Sequence, residues 1–360
     1  MMRTTEFKAV LILLLMSMSI VAFILLPTPS VKGILTADEH TLALWHFNEG
    51  EGQIVYDESI HGNDGTLGPT LGVEARDPSW TVGRTSQPGD YALDFVDWYD
   101  YVNVPDNPDD SLDLLCGDEF TIEFWTYVRH ISRPDRGNGN HWNIWISKRT
   151  YHYEPGYVIT QALRFGDSYL QAFFYDGTFH TVSAQPTPTH QWVHVMFTYD
   201  GQFLKLYVDG ELQGINEIGH HYVVDNAQSL SIGKALGSDV PWSDAIDGVI
   251  DEVRISSIAR KPVPPVEDTD AYIGYVNETT QGLPDVVFSK PGEDVQDIKD
   301  DFSDLFTDTL ENINEGIYEG AIEKLNGIKE RTYEDIVEST ERDELISLID
   351  DLIAHLETLL

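Results

Sequence analysis

From residue 41 to residue 256 the chain is a succession of short runs in which apolar and polar positions alternate with a period of two, as half-buried β-strands require. The clearest run is Phe120-Thr-Ile-Glu-Phe-Trp-Thr-Tyr-Val128. Phe120, Ile122, Phe124 and Val128 share one face with Thr126, and Thr121, Glu123, Trp125 and Tyr127 share the other. The first face predicts core; the second, polar and aromatic, predicts a surface that is solvated or binds something. Val193, Val195 and Phe197 alternate with Trp192, His194, Met196 and Thr198, and Leu204, Leu206 and Val208 with Lys205, Tyr207 and Asp209. The pairs Asp176-Gly177, Asp200-Gly201 and Asp209-Gly210 predict tight hairpin turns. Tyr91-Ala-Leu-Asp-Phe95 and Tyr101-Val-Asn-Val104 predict a further hairpin with an acidic, aromatic tip at residues 96–100. So many short strands without intervening helices predict an all-β sandwich or barrel.

Lys261-Pro-Val-Pro-Pro265 interrupts this pattern, because proline donates nothing to a sheet ladder and a Pro-rich run makes a semi-stiff spacer. Beyond Pro291 the period becomes helical: Ile298, Phe302, Leu305, Leu310, Ile313 and Ile317 recur at three to five residues, followed by Ala321, Ile322, Leu325 and Ile328. Thr340 and Asp343 resemble a capping box for a last helix, with Leu345, Ile349, Leu352, Leu356 and Leu359 in one stripe. Three amphipathic helices of this kind predict a small bundle.

At the other end, Arg3 and Lys8 precede an uncharged apolar run over residues 9–26, the layout of a secretory signal or of an uncleaved signal anchor. The expected organisation is a signal peptide or anchor at 1–37, a β domain at 40–258, a Pro-rich irregular linker at 259–293 and a helical bundle at 294–360. The expected location is extracellular or cell-surface, with membrane anchoring through the N-terminal segment if it is retained.

Charge changes this picture most. Asp+Glu 61 against Lys+Arg 22 gives a formal net charge of −39, which repels phosphates and argues against nucleic acid as a partner. The same acidity suits solubility, a salty environment or divalent cations. Cys116 is the single cysteine, so no intramolecular disulfide forms and no multi-thiolate metal site is built; it reads as a small buried or loop residue.

Trp45-His-Phe-Asn-Glu-Gly50, Gly62-Asn-Asp-Gly-Thr-Leu67, Phe120-Thr-Ile-Glu-Phe-Trp125, Trp192-Val-His-Val195 with Tyr199-Asp-Gly201, Leu206-Tyr-Val-Asp-Gly210 and Ile250-Asp-Glu-Val-Arg-Ile255 resemble, in that order, the laminin-G-like, concanavalin A-like jelly-roll family. The resemblance covers roughly residues 40–258 and implies two curved antiparallel sheets packed face to face. Members commonly bind carbohydrate or protein, and many hold a structural calcium ion. The tail, with Gly282-Leu-Pro-Asp285, Gly316-Ile-Tyr-Glu-Gly-Ala-Ile-Glu-Lys-Leu325 and Leu345-Ile-Ser-Leu-Ile-Asp350, is similar to a helical module near the end of secreted prokaryotic proteins, for which no chemistry is implied.

Related glycoside hydrolases place their carboxylates in an E-x-D-x-x-E strand. This chain has none, and Glu123 is alone in its strand. G-x-S-x-G, H-E-x-x-H and P-loop motifs are also missing, so no enzyme activity is expected. Asp251 is in phase with Val249, Val253 and Ile255, which puts a carboxylate on an apolar face where an unpaired charge is costly. Calcium would resolve this, as would a sheet-edge position with an arginine or backbone amides as partners. In similar folds such an aspartate shares calcium with backbone oxygens near the first strand, here around Asn48 to Gly50; Asp97, with Asp100, is a separate candidate or an ordinary turn residue. For sugar stacking the candidates are Trp125 and Tyr127 beside Glu123, Trp98 and Tyr99 in the tip loop, and Trp142 or Tyr151 near the long loop at 129–140. The histidines, His220-His221 included, read as scattered rather than metal-spaced. The expectation is an exported, non-catalytic recognition protein for a glycan or a cell-surface partner. The alternatives are a structural protein of a cell envelope or extracellular layer and, more weakly, a glycoside hydrolase.

Overall fold

The computed structural model describes residues 35–114, 119–131, 141–149, 155–164, 167–236, 243–264, 266, 268–283, 285–288, 294–337 and 339–360. The apolar run at 9–26, Cys116 and Tyr151 lie outside them.

Among the described residues, seventeen strands run in chain order: β1 (Thr41–Trp45), β2 (Ile54–Val55), β3 (Gly65–Leu67), β4 (Ser79–Val82), β5 (Tyr91–Phe95), β6 (Val102–Val104), β7 (Glu119–His130), β8 (His141–Ser147) and β9 (Gly156–Arg164), then β10 (Asp167–Tyr175), β11 (Phe179–Ala184), β12 (Trp192–Asp200), β13 (Phe203–Val208), β14 (Glu211–Glu217), β15 (Leu230–Ile232), β16 (Ser243–Ala245) and β17 (Asp247–Ser256). They form two sheets. The first has the order β14-β13-β12-β7-β17-β5-β4, with β1 beside β17; the second has the order β11-β10-β9-β8-β15-β6-β3-β2, with β16 beside β8. Pairing is antiparallel except for β16 with β8. This is the expected jelly-roll sandwich.

The inward residues are those the alternation predicts. Phe120, Ile122, Phe124 and Val128 of β7, with Val193, Val195 and Phe197 of β12, face Trp145, Tyr157, Ile159, Leu170, Ala172 and Phe174 of the second sheet in one core. Phe120 meets Phe174 edge-on, with ring centroids 6.1 Å apart. The Asp/Asn-rich segment after β1 is ordered by its own side chains. The Asp57 carboxylate accepts from the Leu44 amide at 2.9 Å, and Asn63 Nδ2 donates to the Leu42 carbonyl at 2.9 Å. Trp45 Nε1, deep in the core, donates to the Asn63 carbonyl at 2.9 Å.

Two elements depart from the periodicity. β5 and β6 do not form a hairpin: β5 pairs with β4 and β17, β6 with β3 and β15, so residues 96–100 are a corner between sheets. Asp100 turns that corner by accepting from the amides of Val96 at 2.8 Å and Asp97 at 2.6 Å. In β17, Asp251 stands opposite Trp125 and Arg254 opposite Glu123, so Glu252 and Val253 together face the single residue between, Phe124. This is a bulge, with Glu252 at φ 52. It reverses the phase of the strand halfway along.

Four α-helices follow among the described residues: α1 (Thr269–Gly282), α2 (Val295–Asn314), α3 (Tyr318–Asp335) and α4 (Thr340–Glu357). The segment expected to be an irregular linker therefore contains a helix. Alternation of Tyr272, Ile273 and Val276 is too brief to signal it, but those side chains close the bundle core with Phe302, Leu325 and Leu352. Asp268, Asp294 and Ser339 cap α1, α2 and α4, each accepting a first-turn amide. The last helix is thus capped by Ser339, one residue before the expected Thr340. Among the described residues no helix is long and apolar enough to cross a membrane.

Candidate functional site

The outer face of the first sheet is covered along β7 and β17. Thr121, Glu123 and Trp125, on the polar side of β7, are 0%, 1% and 6% exposed. Three things cover them. Residues 35 and 36 cross in front of β17, where the Thr36 carbonyl accepts from Arg254 at 2.9 Å and the Leu35 amide donates to Glu252 at 3.3 Å. The segment after β17 folds back, with Thr121 donating to the Ile258 carbonyl at 2.8 Å. The helical bundle stands over the remainder.

Between sandwich and bundle lies a cleft of about 600 Å³, within the range of small-molecule sites. Its floor is Glu123, Trp125, His194, Met196 and Arg254. One wall is Gln185, Pro186 and Pro188 with Asp209, Gly210 and Gln213; the other is Val263, Pro264, Tyr272, Tyr275, Leu348 and Asp351.

A buried ion-pair network holds the floor. Arg254 grips Glu123 through Nε at 2.9 Å and a terminal nitrogen at 2.7 Å, and His194 Nε2 stands 3.1 Å from the other carboxylate oxygen. Burial pushes the Glu123 carboxyl up, but Arg254 and His194 outweigh it and hold it at about 2. The bulge makes this network. Uninterrupted alternation would send Arg254 and Asp251 to opposite faces, whereas the reversal at Glu252–Val253 puts both on the outer face and sends Val253 and Ile255 into the core. The predicted phase of Asp251 with Val253 and Ile255 is therefore corrected.

Asp251 is fully buried. One oxygen accepts from the Arg84 backbone amide at 3.0 Å, and Oδ1 has no hydrogen-bond partner. Desolvation raises its pKa to about 8, with the charges of Glu252 and Asp90 adding to the effect. A buried carboxylate oxygen without a partner is a donor that a hard cation accepts, but among the described residues Asp251 is not gathered with two further His, Cys, Asp or Glu donors. Asn48 sits at the same end of β5, accepting from the Tyr91 amide at 2.9 Å. Asp97 does not: it follows the opposite end of β5 and serves its corner by accepting from the Tyr99 amide at 3.2 Å.

The predicted aromatic residues lie in four different settings. Trp125 lines the cleft, but its ring is packed between the Arg84 guanidinium at 4.7 Å and the His194 ring at 5.1 Å. Tyr127, two residues on, packs against Trp192 at 5.9 Å outside the cleft. Trp98 and Tyr99 are in the corner, where Arg76 and Lys234 approach the half-exposed Tyr99 ring at 5.5 and 5.4 Å. Trp142 is on the second sheet, packed on the small cluster of Ile144, Val158 and Ala235. The cleft residues that sequence reasoning missed are Arg254, hidden by the bulge, and Tyr272, Tyr275 and Asp351, which come from the helices. The histidines are not all scattered: His180 Nε2 and His221 Nδ1 each stand 3.0 Å from the Asp176 carboxylate.

No curated protein matches the chain significantly in sequence. Among solved structures it is similar to domain 4 of an extracellular arabinanase from Geobacillus stearothermophilus, in complex with arabinotriose, at 17% identity and TM-score 0.44, covering 65% of this chain and 97% of that one. It is also similar to the binding domain of Paraclostridial mosquitocidal protein 1, at 15% identity and TM-score 0.47, covering 67% of this chain and 53% of that one. The receptor binding domain of botulinum neurotoxin C/D mosaic serotype gives 14% identity and TM-score 0.43, covering 67% and 52%. This chain thus spans about half the length of those two toxin domains. The family model that matches is Laminin_G_3, of the concanavalin A-like lectin/glucanases superfamily, over residues 96–263, the stretch that contains both central strands β7 and β17.

Proposed function

We propose that this chain is an exported, non-catalytic recognition protein that takes a glycan in the cleft between its sandwich and its helices. The observation that carries the reading is the cleft itself. The aromatic and apolar side chains of Tyr275, Pro186 and Leu348 in the walls and Met196 in the floor share about 600 Å³ with the hydrogen-bonding side chains of Gln185, Gln213, Asp209 and Asp351. Sugars are bound by that combination, with stacking on ring faces and orientation by polar groups. A superfamily of lectins and glucanases supports carbohydrate as the ligand class.

The floor chemistry favours binding over hydrolysis. A glycosidase acid must hold its proton near neutral pH. Glu123, the carboxylate at the centre of the floor, is instead kept ionised by Arg254. Export rests on Arg3, Lys8 and the apolar run at 9–26. A calcium ion at Asp251, with Asn48 and Asp90 nearby, would be structural: it would offset the buried charge and fix the connection between β4 and β5 to β17. The test is a glycan panel probed with the purified chain, with and without calcium. Retention of a defined oligosaccharide, unaltered after incubation, is the expected result. Binding to no glycan, or cleavage of a bound one, would overturn the reading.

A further inference from the structure

We propose that Asp176, His180 and His221 form a binding site for a divalent transition-metal ion of the zinc class, clamping the two sheets together at their open edge. The three residues come from two places. Asp176 opens the turn from β10 into β11 and His180 is the second residue of β11, in the second sheet; His221 follows β14, the edge strand of the first sheet. β11 and β14 are the terminal strands of their sheets on the same side of the sandwich, and they already touch: Asn216 Nδ2 donates to the Thr181 carbonyl at 2.8 Å.

The donor geometry is that of a coordination sphere. One ligand atom from each residue lies within 4.8 Å of the others. His180 Nε2 and His221 Nδ1 are each 3.0 Å from an Asp176 oxygen. Ligands at about 2.0–2.2 Å from a tetrahedral zinc ion are themselves about 3.3–3.5 Å apart, so small adjustments place an ion among them. Two imidazoles with one carboxylate suit zinc, nickel, copper or iron rather than calcium, which takes oxygen ligands.

Neighbouring groups fix the positions of the three residues. The Thr178 amide donates to Asp176 Oδ1 at 3.1 Å within the Gly177 turn. The His180 ring packs 4.8 Å from Phe174 and 3.8 Å from the His221 ring. Tyr199, rooted in the core, donates to the Gly219 carbonyl at 2.6 Å and accepts from the His221 amide at 2.8 Å, which fixes the backbone carrying the third ligand. The cluster is buried on one side and open on the other: His180 is 8% exposed at its side chain and His221 33%. An ion can enter, and water or an outside ligand can take the remaining position. In a chain with one cysteine, such a clamp does the work a disulfide does elsewhere.

The test is titration of the untagged full chain with Zn²⁺ in excess Ca²⁺, which occupies surface carboxylates, followed by Co²⁺ substitution. The expected results are one Zn²⁺ per chain, a raised Tm, and a Co²⁺ visible spectrum with hyperfine-shifted imidazole proton signals. His221→Gln and Asp176→Asn should each weaken binding by about a hundredfold or more. His220→Gln should leave it unchanged, since that ring faces Tyr222 Oη at 2.7 Å. No stoichiometric Zn²⁺ binding by the wild type would overturn the proposal, as would affinity retained in His180→Gln/His221→Gln. If the variants fail to fold, the wild-type Co²⁺ signals decide: their absence overturns the site and their presence supports it.

Discussion

Replacing Asp251 by asparagine should stabilise the metal-free protein at neutral pH. In the fold the carboxyl titrates at about 8, against an ordinary value of 3.8. Its folded-state pKa is raised, so folding favours the protonated form and a penalty grows as pH climbs above the unfolded value, levelling off above the folded one. That penalty is about 2 kcal/mol at pH 5 and about 4 kcal/mol at pH 7. Asparagine keeps an oxygen for the Arg84 amide and carries no charge, but its NH₂ replaces Oδ1 in a place where no donor reaches that oxygen. An unsatisfied amide costs about 1–3 kcal/mol, which leaves a net gain of about 1–3 kcal/mol at pH 7. Denaturant unfolding in chelator at pH 5, 7 and 9 reads this directly. Wild-type stability should carry a component that falls from pH 5 to 8 and is missing from the variant. Adding calcium should raise the wild type and leave Asp251→Asn unmoved. A variant less stable than wild type at pH 7 in chelator would refute the reasoning about the buried charge. No calcium shift in the wild type would remove the ion while leaving the pH argument intact.

Glu123→Gln leaves Arg254 buried without its counter-charge and should cost about 3–5 kcal/mol in denaturant unfolding. Because the Glu123 pKa is lowered from 4.5 to about 2, the wild type should lose roughly 3 kcal/mol as pH falls from 4.5 to 2, and the variant should lack that component of its acid limb. Gly210→Ala places a Cβ 2.1 Å from the Val263 carbonyl oxygen at φ +82, so the β13–β14 turn and the linker must part there. The expected loss is about 1–3 kcal/mol, with faster proteolysis of the linker; an unchanged Tm would count against the seating of the linker on this turn.

The sandwich was legible because its signals are local. Alternation in β7, β12 and β13 and the Asp-Gly pairs at 176, 200 and 209 need nothing beyond the strand itself. What was not legible depends on long-range geometry. The bulge at Glu252–Val253 is one inserted residue, and no pattern in Ile250-Asp-Glu-Val-Arg-Ile255 distinguishes it from a continuous strand. It nevertheless decides that Arg254 meets Glu123 and that Asp251 leaves the core. The β5–β6 pair reads as a hairpin because the Asp100 corner uses the same residue types as a hairpin turn. Trp125 and Glu123 were found on the correct face, but their burial comes from residues 35–36, from 258–260 and from helices far along the chain. His180 and His221 are separated by three whole strands, β12 to β14, and are joined by the edge-to-edge closure of the two sheets.

Whether the cleft is the glycan site is decided by calorimetry on two of its residues. Tyr275, half-buried on α1, and Gln213, exposed on β14, contribute to opposite walls and to neither core ion pair. Gln213→Ala should lower affinity for the bound oligosaccharide by about tenfold or more while Tm changes little, and Tyr275→Ala should do the same at some cost in Tm, because its ring also packs on the bundle core. Unchanged affinity in both variants, with sugar still bound, would contradict the account and place recognition elsewhere on the sandwich.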